Sequence, residues 1–139
     1  MAVPSSANAR LYYRVAKQRF EDAEFLLEAI RTTAAVYLAG YSVECILKAL
    51  VLAAVPRAQE NEMLAIFRSG RAHDYVWLRR LYTERSGPAL PAELVPHFAR
   101  VNTWSTDLRY SPGTITLREA KAFLDSAVEI FTWGDRRLS

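Results

Sequence analysis

The sequence predicts an all-α protein: an antiparallel helical bundle of about four to five helices, in a single domain that spans residues 1–139. Composition favours helices, because the chain has 21 alanines but only five glycines and six prolines. Apolar residues recur every three or four positions over long stretches, and no stretch alternates as a strand would. With 51% hydrophobic residues, the chain can bury a core of its own.

The first predicted helix covers roughly residues 7–30 and follows two serines, Ser5 and Ser6. Its apolar residues are spaced three or four positions apart, which places them on one helical face. They are Tyr12, Ala16, Phe20, Ala23, Leu27 and Ile30. Thr32 and Thr33 interrupt the pattern, and either hydroxyl can cap the helix that follows.

The second predicted helix, residues 34–54, reads AAVYLAGYSVECILKALVLAA and ends before Pro56. It leaves no wide polar face, so other helices are expected to cover most of its circumference. Its length would permit a membrane span, but Glu44 and Lys48 would then lie near the bilayer centre at roughly 2.5–3.5 kcal/mol each. The first residues also lack the basic and apolar regions of a secretory signal. We therefore predict a soluble, cytoplasmic protein without a membrane span.

Shorter elements are predicted in the middle of the chain. A weakly amphipathic piece at residues 60–67 leads into a loop, and a third helix then runs from His73 or Asp74 to Arg85. A short fourth helix is predicted at residues 92–102. Pro96 lies inside it, but in its first turns, where proline is tolerated.

The last predicted helix has the best-marked start. Thr116 and Glu119 fit a capping box, in which side chains bond to backbone N–H groups of the first turn. An apolar stripe continues from there to about Trp133. Before this helix, residues 104–113 mix aromatic residues with turn formers and predict an ordered loop.

Charge and cysteine content restrict the function only weakly. The net charge is +3, carried by 15 arginines against three lysines. Arginine suits phosphate recognition, but a GC-rich genome would give the same composition, and both interpretations stay open. Cys45 is the only cysteine, and His73 and His97 stand at unrelated spacings. No metal site and no cofactor are therefore expected.

A polar stripe on the second helix is the most informative feature of the chain. Tyr37, Tyr41, Glu44 and Lys48 fall within about 60° of one another on one helical face. Buried charges are normally paired, so Glu44 and Lys48 form either an internal ion pair or the floor of a site. In the second case they would face a phosphate or carboxylate ligand together with Arg109. The two tyrosines would serve for packing or as a stacking platform for bases.

These residues resemble the HEPN domain family over nearly the whole chain. The resemblance rests on the string AAVYLAGYSVECILKALVL, on a His-Asp pair that opens a helix, and on WSTDLRYSPG before a final amphipathic helix. Its most specific parts are the ExxLK element Glu44–Lys48, the pair His73–Asp74 and the pair Arg109–Tyr110.

The resemblance implies a small helical bundle associated with nucleotides or RNA. Some HEPN proteins are non-catalytic partners of minimal nucleotidyltransferases, and others are ribonucleases, often toxins of toxin–antitoxin pairs. The expected function is a nucleotide- or RNA-associated binding module that works with a nucleotidyltransferase partner in a toxin–antitoxin-like pair.

A metal-independent ribonuclease toxin is the alternative. Ribonuclease members of the family carry R-x(4–6)-H at the start of a late helix, and two copies meet across a dimer. Arg68 and His73 have this spacing, and the imidazole could move the 2′-OH proton while the guanidinium neutralises the scissile phosphate. However, the pair lies between the second and third helices and encloses Gly70, which is typical of a loop. A structural role for His73 is therefore favoured, and no catalytic residue is expected.

The predicted ligand-binding cleft combines the polar stripe with later residues. Its members are Tyr37, Tyr41, Glu44, Lys48, His73, Asp107 and Arg109. A homodimer is also expected, because relatives often pair through helices and three tryptophans are hard to hide in so small a bundle. They are Trp77, Trp104 and Trp133.

Overall fold

The computed structural model describes residues 6–69, 71–86, 89–104, 108 and 115–138. Within these ranges the chain forms six α-helices and no strand, which confirms the all-α fold. The helices are α1 (Ala7–Glu28), α2 (Thr32–Ala54), α3 (Glu60–Ile66), α4 (Tyr75–Ser86), α5 (Val95–Val101) and α6 (Leu117–Leu138). The 3₁₀ turns Arg57–Gln59 and Ala92–Leu94 lead into α3 and α5, which are only seven residues long each.

Helix α2 lies at the centre of the bundle, as its composition predicts. It packs against α1, α4 and α6, and every residue from Ser42 to Leu52 is buried. By length and composition α2 could cross a bilayer, but 83% of its most apolar window is covered by the rest of the protein. This burial is that of a core helix.

Helix α1 buries one face against α2, but the face is one residue out of phase with the predicted one at its start. The buried positions are Ala9, Tyr13, Ala16, Phe20 and Ala23, whereas Tyr12 and Leu27 are only partly buried. Tyr13 is buried in place of Tyr12, and its hydroxyl donates a 2.6 Å hydrogen bond to Asp135 of α6. Ser6 caps the helix by accepting a 3.1 Å hydrogen bond from the Ala9 N–H.

The turn between α1 and α2 is a Schellman motif with an unusual residue. The Ile30 N–H donates to the Leu27 carbonyl at 2.9 Å, and the Arg31 N–H donates to the Leu26 carbonyl at 2.8 Å. Ile30 has φ 61°, in the left-handed region where glycine is usual. Its side chain is 66% exposed.

The start of α2 differs from the prediction. Thr32 does not cap the helix but lies in its first turn, and its hydroxyl donates a 2.6 Å hydrogen bond to the Ile115 carbonyl. This bond joins the beginning of α2 to the residue that enters α6. Thr116 behaves as predicted, because its hydroxyl accepts a 3.1 Å hydrogen bond from the Glu119 N–H.

The second half of the chain closes the bundle. Helix α6 continues past Trp133 to Leu138, where Arg137 donates a 2.9 Å hydrogen bond to the Tyr82 hydroxyl of α4. Helix α5 packs on α6, and its half-buried His97 lies 3.0 Å from the buried Ser126 hydroxyl. His97 is therefore partly exposed and also contacts α6 through Ser126.

Candidate functional site

Glu44 and Lys48 form a buried ion pair. The Lys48 ammonium lies 2.8 Å from Glu44 Oε2, and the two side chains are only 7% and 4% exposed. The ammonium also lies 5.8 Å from the ring centre of Tyr12 on α1 and 5.4 Å from that of Phe67, which follows α3. Contacts of this kind favour a desolvated cation. The geometry supports the internal ion pair and removes the Lys48 ammonium from the surface.

His73 connects this pair to the surface. Its Nδ1 lies 2.6 Å from Glu44 Oε1, so the carboxylate has the ammonium at one oxygen and the imidazole at the other. The His73 side chain is 45% exposed. Because Nδ1 contacts the carboxylate, the orientation of the ring is fixed, and Nε2 is the ring nitrogen that a ligand would meet.

The residue after His73 fixes its position in the chain. Asp74 accepts hydrogen bonds from the N–H groups of Val76, at 2.9 Å, and Trp77, at 3.2 Å, and so caps α4. Sequence spacing left open whether His73 or Asp74 starts this helix. The cap is Asp74, and His73 uses its side chain on Glu44 instead.

An aromatic cluster lies next to the ion pair. The Tyr41 ring is edge-on to His73 at 6.1 Å, to Tyr37 at 5.0 Å and to Trp104 at 5.2 Å. Trp104 is 7% exposed and donates a 3.1 Å hydrogen bond from its indole to the Tyr37 carbonyl. These contacts support packing as the role of Tyr37, since a base could stack between the rings only by displacing Trp104.

Gly40 allows this cluster to form. A Cβ atom at Gly40 would lie 2.1 Å from the Trp104 indole nitrogen, so the ring rests directly on the α2 backbone. The Gly40 carbonyl accepts a 2.6 Å hydrogen bond from the Tyr75 hydroxyl. Burial, and then the charge of Glu44, raise the pKa of Tyr75 well above its usual value, so this hydroxyl stays protonated.

Two arginines and a tryptophan lie close to His73 in the sequence. The Arg71 guanidinium lies 5.7 Å from the ring centre of Trp77, which is half-buried, and Arg68 is exposed beyond the end of α3. The Ala72 N–H donates to the Ser69 carbonyl at 3.2 Å, and the Asp74 N–H donates to that of Arg71 at 2.9 Å. The Arg68–His73 spacing therefore falls in turns between two helices, where the sequence places it.

The structure brings together five of the seven predicted cleft residues: Tyr37, Tyr41, Glu44, Lys48 and His73. Asp107, Arg109 and the adjoining Tyr110 lie outside the described residues, so their part in the site stays a prediction.

Sequence reasoning did not identify the neighbours that bury the charges. The residues concerned are Tyr12, Phe67 and Tyr75. An i,i+4 spacing shows which charges can pair, but not which distant rings cover them. The one signal in the sequence is that Tyr75 follows His73 by two residues, which could have indicated that both side chains lie near Glu44.

Cys45 adjoins the ion pair but is not reactive. It is buried, and burial together with the nearby Glu44 charge raises the pKa of its thiol to about 12. In the part of the chain that the structure describes, no three His, Cys, Asp or Glu side chains are grouped so as to hold a metal ion.

A separate apolar groove of about 730 Å³ lies along α5 and α6. Its wall includes Val36, Arg100, Trp104, Glu119 and Phe123. Neither Glu44 nor Lys48 lines this groove. Trp104 belongs both to the wall of the groove and to the aromatic cluster.

These features define a class of protein: a small helical bundle whose central helix carries a buried carboxylate, shared by an ammonium and by a surface histidine. The chain belongs to the HEPN domain family, whose family model matches residues 9–137. Comparisons with curated proteins and with solved structures give no significant match.

Proposed function

We propose that this HEPN domain protein is a nucleotide- or RNA-associated binding module that receives its ligand at the surface around His73. The observation that carries the proposal is the 2.6 Å contact between His73 Nδ1 and the buried Glu44 carboxylate. It fixes a half-exposed imidazole at the edge of an aromatic cluster. Lys48 supports this arrangement from inside by balancing the Glu44 charge and does not touch the ligand.

The surroundings of His73 have the chemistry that a nucleotide requires. Arg71, stacked on Trp77, offers a guanidinium for phosphate and a partly exposed ring for a base. Arg68 adds a second exposed cation. Interleaved cations and aromatic rings are the pattern by which proteins bind single-stranded nucleic acid.

The proposal extends to partners. Family membership supports a homodimer that works with a minimal nucleotidyltransferase, as a cytoplasmic toxin–antitoxin-like pair. A small nucleotidyltransferase reading frame beside the gene, and co-purification of its product with this protein, would support the pair. Recovery of this protein alone after co-expression with that neighbour would count against it.

A binding measurement tests the module. Purified protein is titrated with ATP and with fluorescently labelled single-stranded RNA, followed by tryptophan fluorescence and anisotropy. His73→Ala and Arg71→Ala are each expected to weaken binding about tenfold, because each removes a charge-assisted or stacking contact. Arg136→Ala, which removes an exposed arginine near the end of α6, is the matched control. Equal affinities for all four proteins would contradict the site.

One observation favours the alternative, a metal-independent ribonuclease. A carboxylate that holds Nδ1 of a histidine at 2.6 Å orients the imidazole for proton transfer at Nε2. The position of Arg68 and His73 between α3 and α4 counts against catalysis, so we expect no cleavage. The test incubates the protein with structured and single-stranded RNA without added metal. Cleavage by the parent that is lost in His73→Ala would replace the binding module with the ribonuclease.

A further inference from the structure

The charges of helix α1 are separated by sign along its length. The helix packs on α2 and α6, and the face turned away from them is exposed. The basic residues of α1 all lie in its first part: Arg10, Arg14, Lys17 and Arg19. The acidic residues all lie in its last part: Glu21, Asp22, Glu24 and Glu28. Neither set is interrupted by a residue of the opposite charge.

This order of charges does not stabilise the helix itself. The helix dipole favours acidic residues near the N-terminus and basic residues near the C-terminus. Helix α1 has no acidic residue in its first turn and no basic residue in its last. Like charges three or four positions apart also repel, and both Arg14 with Lys17 and Glu24 with Glu28 stand at such a spacing. The pattern therefore has no explanation within one copy of α1.

Most of these charges have no partner within the protein. Arg19 and Asp22, at the boundary between the two halves, form a 2.9 Å salt bridge. Among the residues that the structure describes, four further charged side chains of α1 are exposed and have no salt-bridge partner. They are Arg14, Lys17, Glu21 and Glu24. A second molecule could therefore neutralise them.

Exposed apolar side chains lie on the same face. Leu11 is 51% exposed and Phe25 is 71% exposed. Between them, Arg14, Gln18 and Glu21 continue at alternating intervals of three and four residues, which is the spacing of a helix–helix contact. Gln18 lies midway between Leu11 and Phe25, about 10 Å from each along the helix axis. About Gln18 the stripe is therefore symmetric in its apolar residues and opposite in its charges.

We propose that this face of α1 binds the same face of a second copy, with the two helices antiparallel and a two-fold axis near Gln18. The proposal rests on the homodimer that forms part of the proposed function, and it assigns the interface of that dimer. The axis brings the basic half of each helix against the acidic half of the other, and Leu11 of each copy near Phe25 of the other. Parallel helices would instead place like charges together. A two-fold interface uses one patch twice, so the patch must be complementary to itself, as this one is.

Two charge-reversed proteins test the pairing. Arg14→Glu with Lys17→Glu makes the charge of α1 mainly acidic, and Glu21→Lys with Glu24→Lys makes it mainly basic. All four positions are exposed, so both variants should fold, which circular dichroism and thermal unfolding check. In analytical ultracentrifugation each variant alone should dimerise about tenfold more weakly than the parent, or weaker still, because repulsion replaces attraction. An equimolar mixture should form a heterodimer, since an acidic helix then faces a basic one.

Controls separate charge at the interface from charge in general. Lys121→Glu with Arg136→Glu makes the same change of charge at exposed positions of α6, and should dimerise like the parent. Phe25→Ala tests the apolar contact. It should weaken the dimer about tenfold without changing the circular dichroism spectrum, since the ring is exposed in one copy. The parent dimer should also weaken as the salt concentration rises.

Three results would overturn the inference. If both charge-reversed variants dimerise as tightly as the parent, the dimer uses another surface, such as that around Trp77 or Trp133, and the homodimer itself stands. If both variants are monomers and their mixture is too, α1 contacts a different surface of the second copy. A parent that is monomeric at every concentration would contradict the homodimer as well. Ligand binding around His73 is measured by its own titration, so none of these results decides it.

Discussion

Glu44 holds the site together, because both Lys48 and His73 bind its carboxylate. Among the residues that the structure describes, removing the ammonium leaves the buried carboxylate with the His73 imidazole as its side-chain partner. We expect Lys48→Ala to lower the free energy of unfolding by about 3–5 kcal/mol. Urea denaturation of the purified variant measures this value.

Two further variants separate charge from packing. Lys48→Met combined with Glu44→Gln removes both charges at similar volume, and should cost less than Lys48→Ala. Lys17→Ala, which removes an exposed lysine on α1, should stay within about 0.5 kcal/mol of the parent. A loss for Lys48→Ala no larger than that of Lys17→Ala would mean that the pair contributes nothing to stability.

Cys45 predicts a pH dependence. Its pKa is raised to about 12 in the folded protein, first by burial and then by Glu44, against about 8.5 in an unfolded chain. Between these values the folded state keeps the proton that the unfolded state has lost, so stability falls as pH rises. The loss from this thiol should be about 1.4 kcal/mol per pH unit above pH 8.5.

The measurement is urea denaturation of the parent and of Cys45→Ala at pH 7.5 and at pH 9.5. Stability of the parent should decrease over this interval by about 1.4 kcal/mol more than that of the variant. At pH 7.5 the thiol is protonated in both states and contributes no slope. Parallel pH profiles for the two proteins would show that the thiol is not buried from solvent.

At the scale of the elements, Gly40 sets how closely Trp104 approaches α2. Alanine normally favours a helix over glycine by about 1 kcal/mol. Here its Cβ would lie 2.1 Å from the indole nitrogen, so Gly40→Ala should destabilise the protein by about 1–3 kcal/mol. Thermal or urea unfolding measures the change. In a Trp104→Ala background the same substitution should become neutral or stabilising, and an unchanged penalty there would exclude the clash as its cause.

The elements also show what a sequence pattern can predict. The long helices α1, α2 and α6 were predictable because each carries apolar residues at helical spacing over many turns. The phase of α1 was not, because Tyr12 and Tyr13 are chemically alike. The choice between them depends on Asp135, 122 residues away.

The candidate site was predictable to the same limited depth. The Glu44–Lys48 pair follows from an i,i+4 spacing on one helix. That Lys48 is buried depends on Tyr12 and Phe67, which belong to other elements. Local spacing therefore predicted that Glu44 and Lys48 pair. Tertiary packing buries this pair and brings His73, which is partly exposed, onto the same carboxylate.

At the scale of the whole molecule, we expect a homodimer in isolation. The argument from tryptophans now rests on Trp77 and Trp133, which are half-buried, because Trp104 is 7% exposed inside its own subunit. Light scattering at tens of micromolar protein should give twice the 15.8 kDa mass of one chain. A mass of one chain at every concentration would contradict the dimer.

The turn at Ile30 is a position where a substitution should stabilise the folded protein. An L-residue in the left-handed region costs roughly 1–2 kcal/mol, and the exposed side chain recovers little of it by packing. Glycine relieves that strain but loses up to about 1 kcal/mol through its greater freedom in the unfolded chain. Ile30→Gly should therefore raise the free energy of unfolding by about 0.5–1 kcal/mol. Calorimetry should record this as a melting temperature higher by a few degrees. A more durable protein would then be obtained by deleting a side chain.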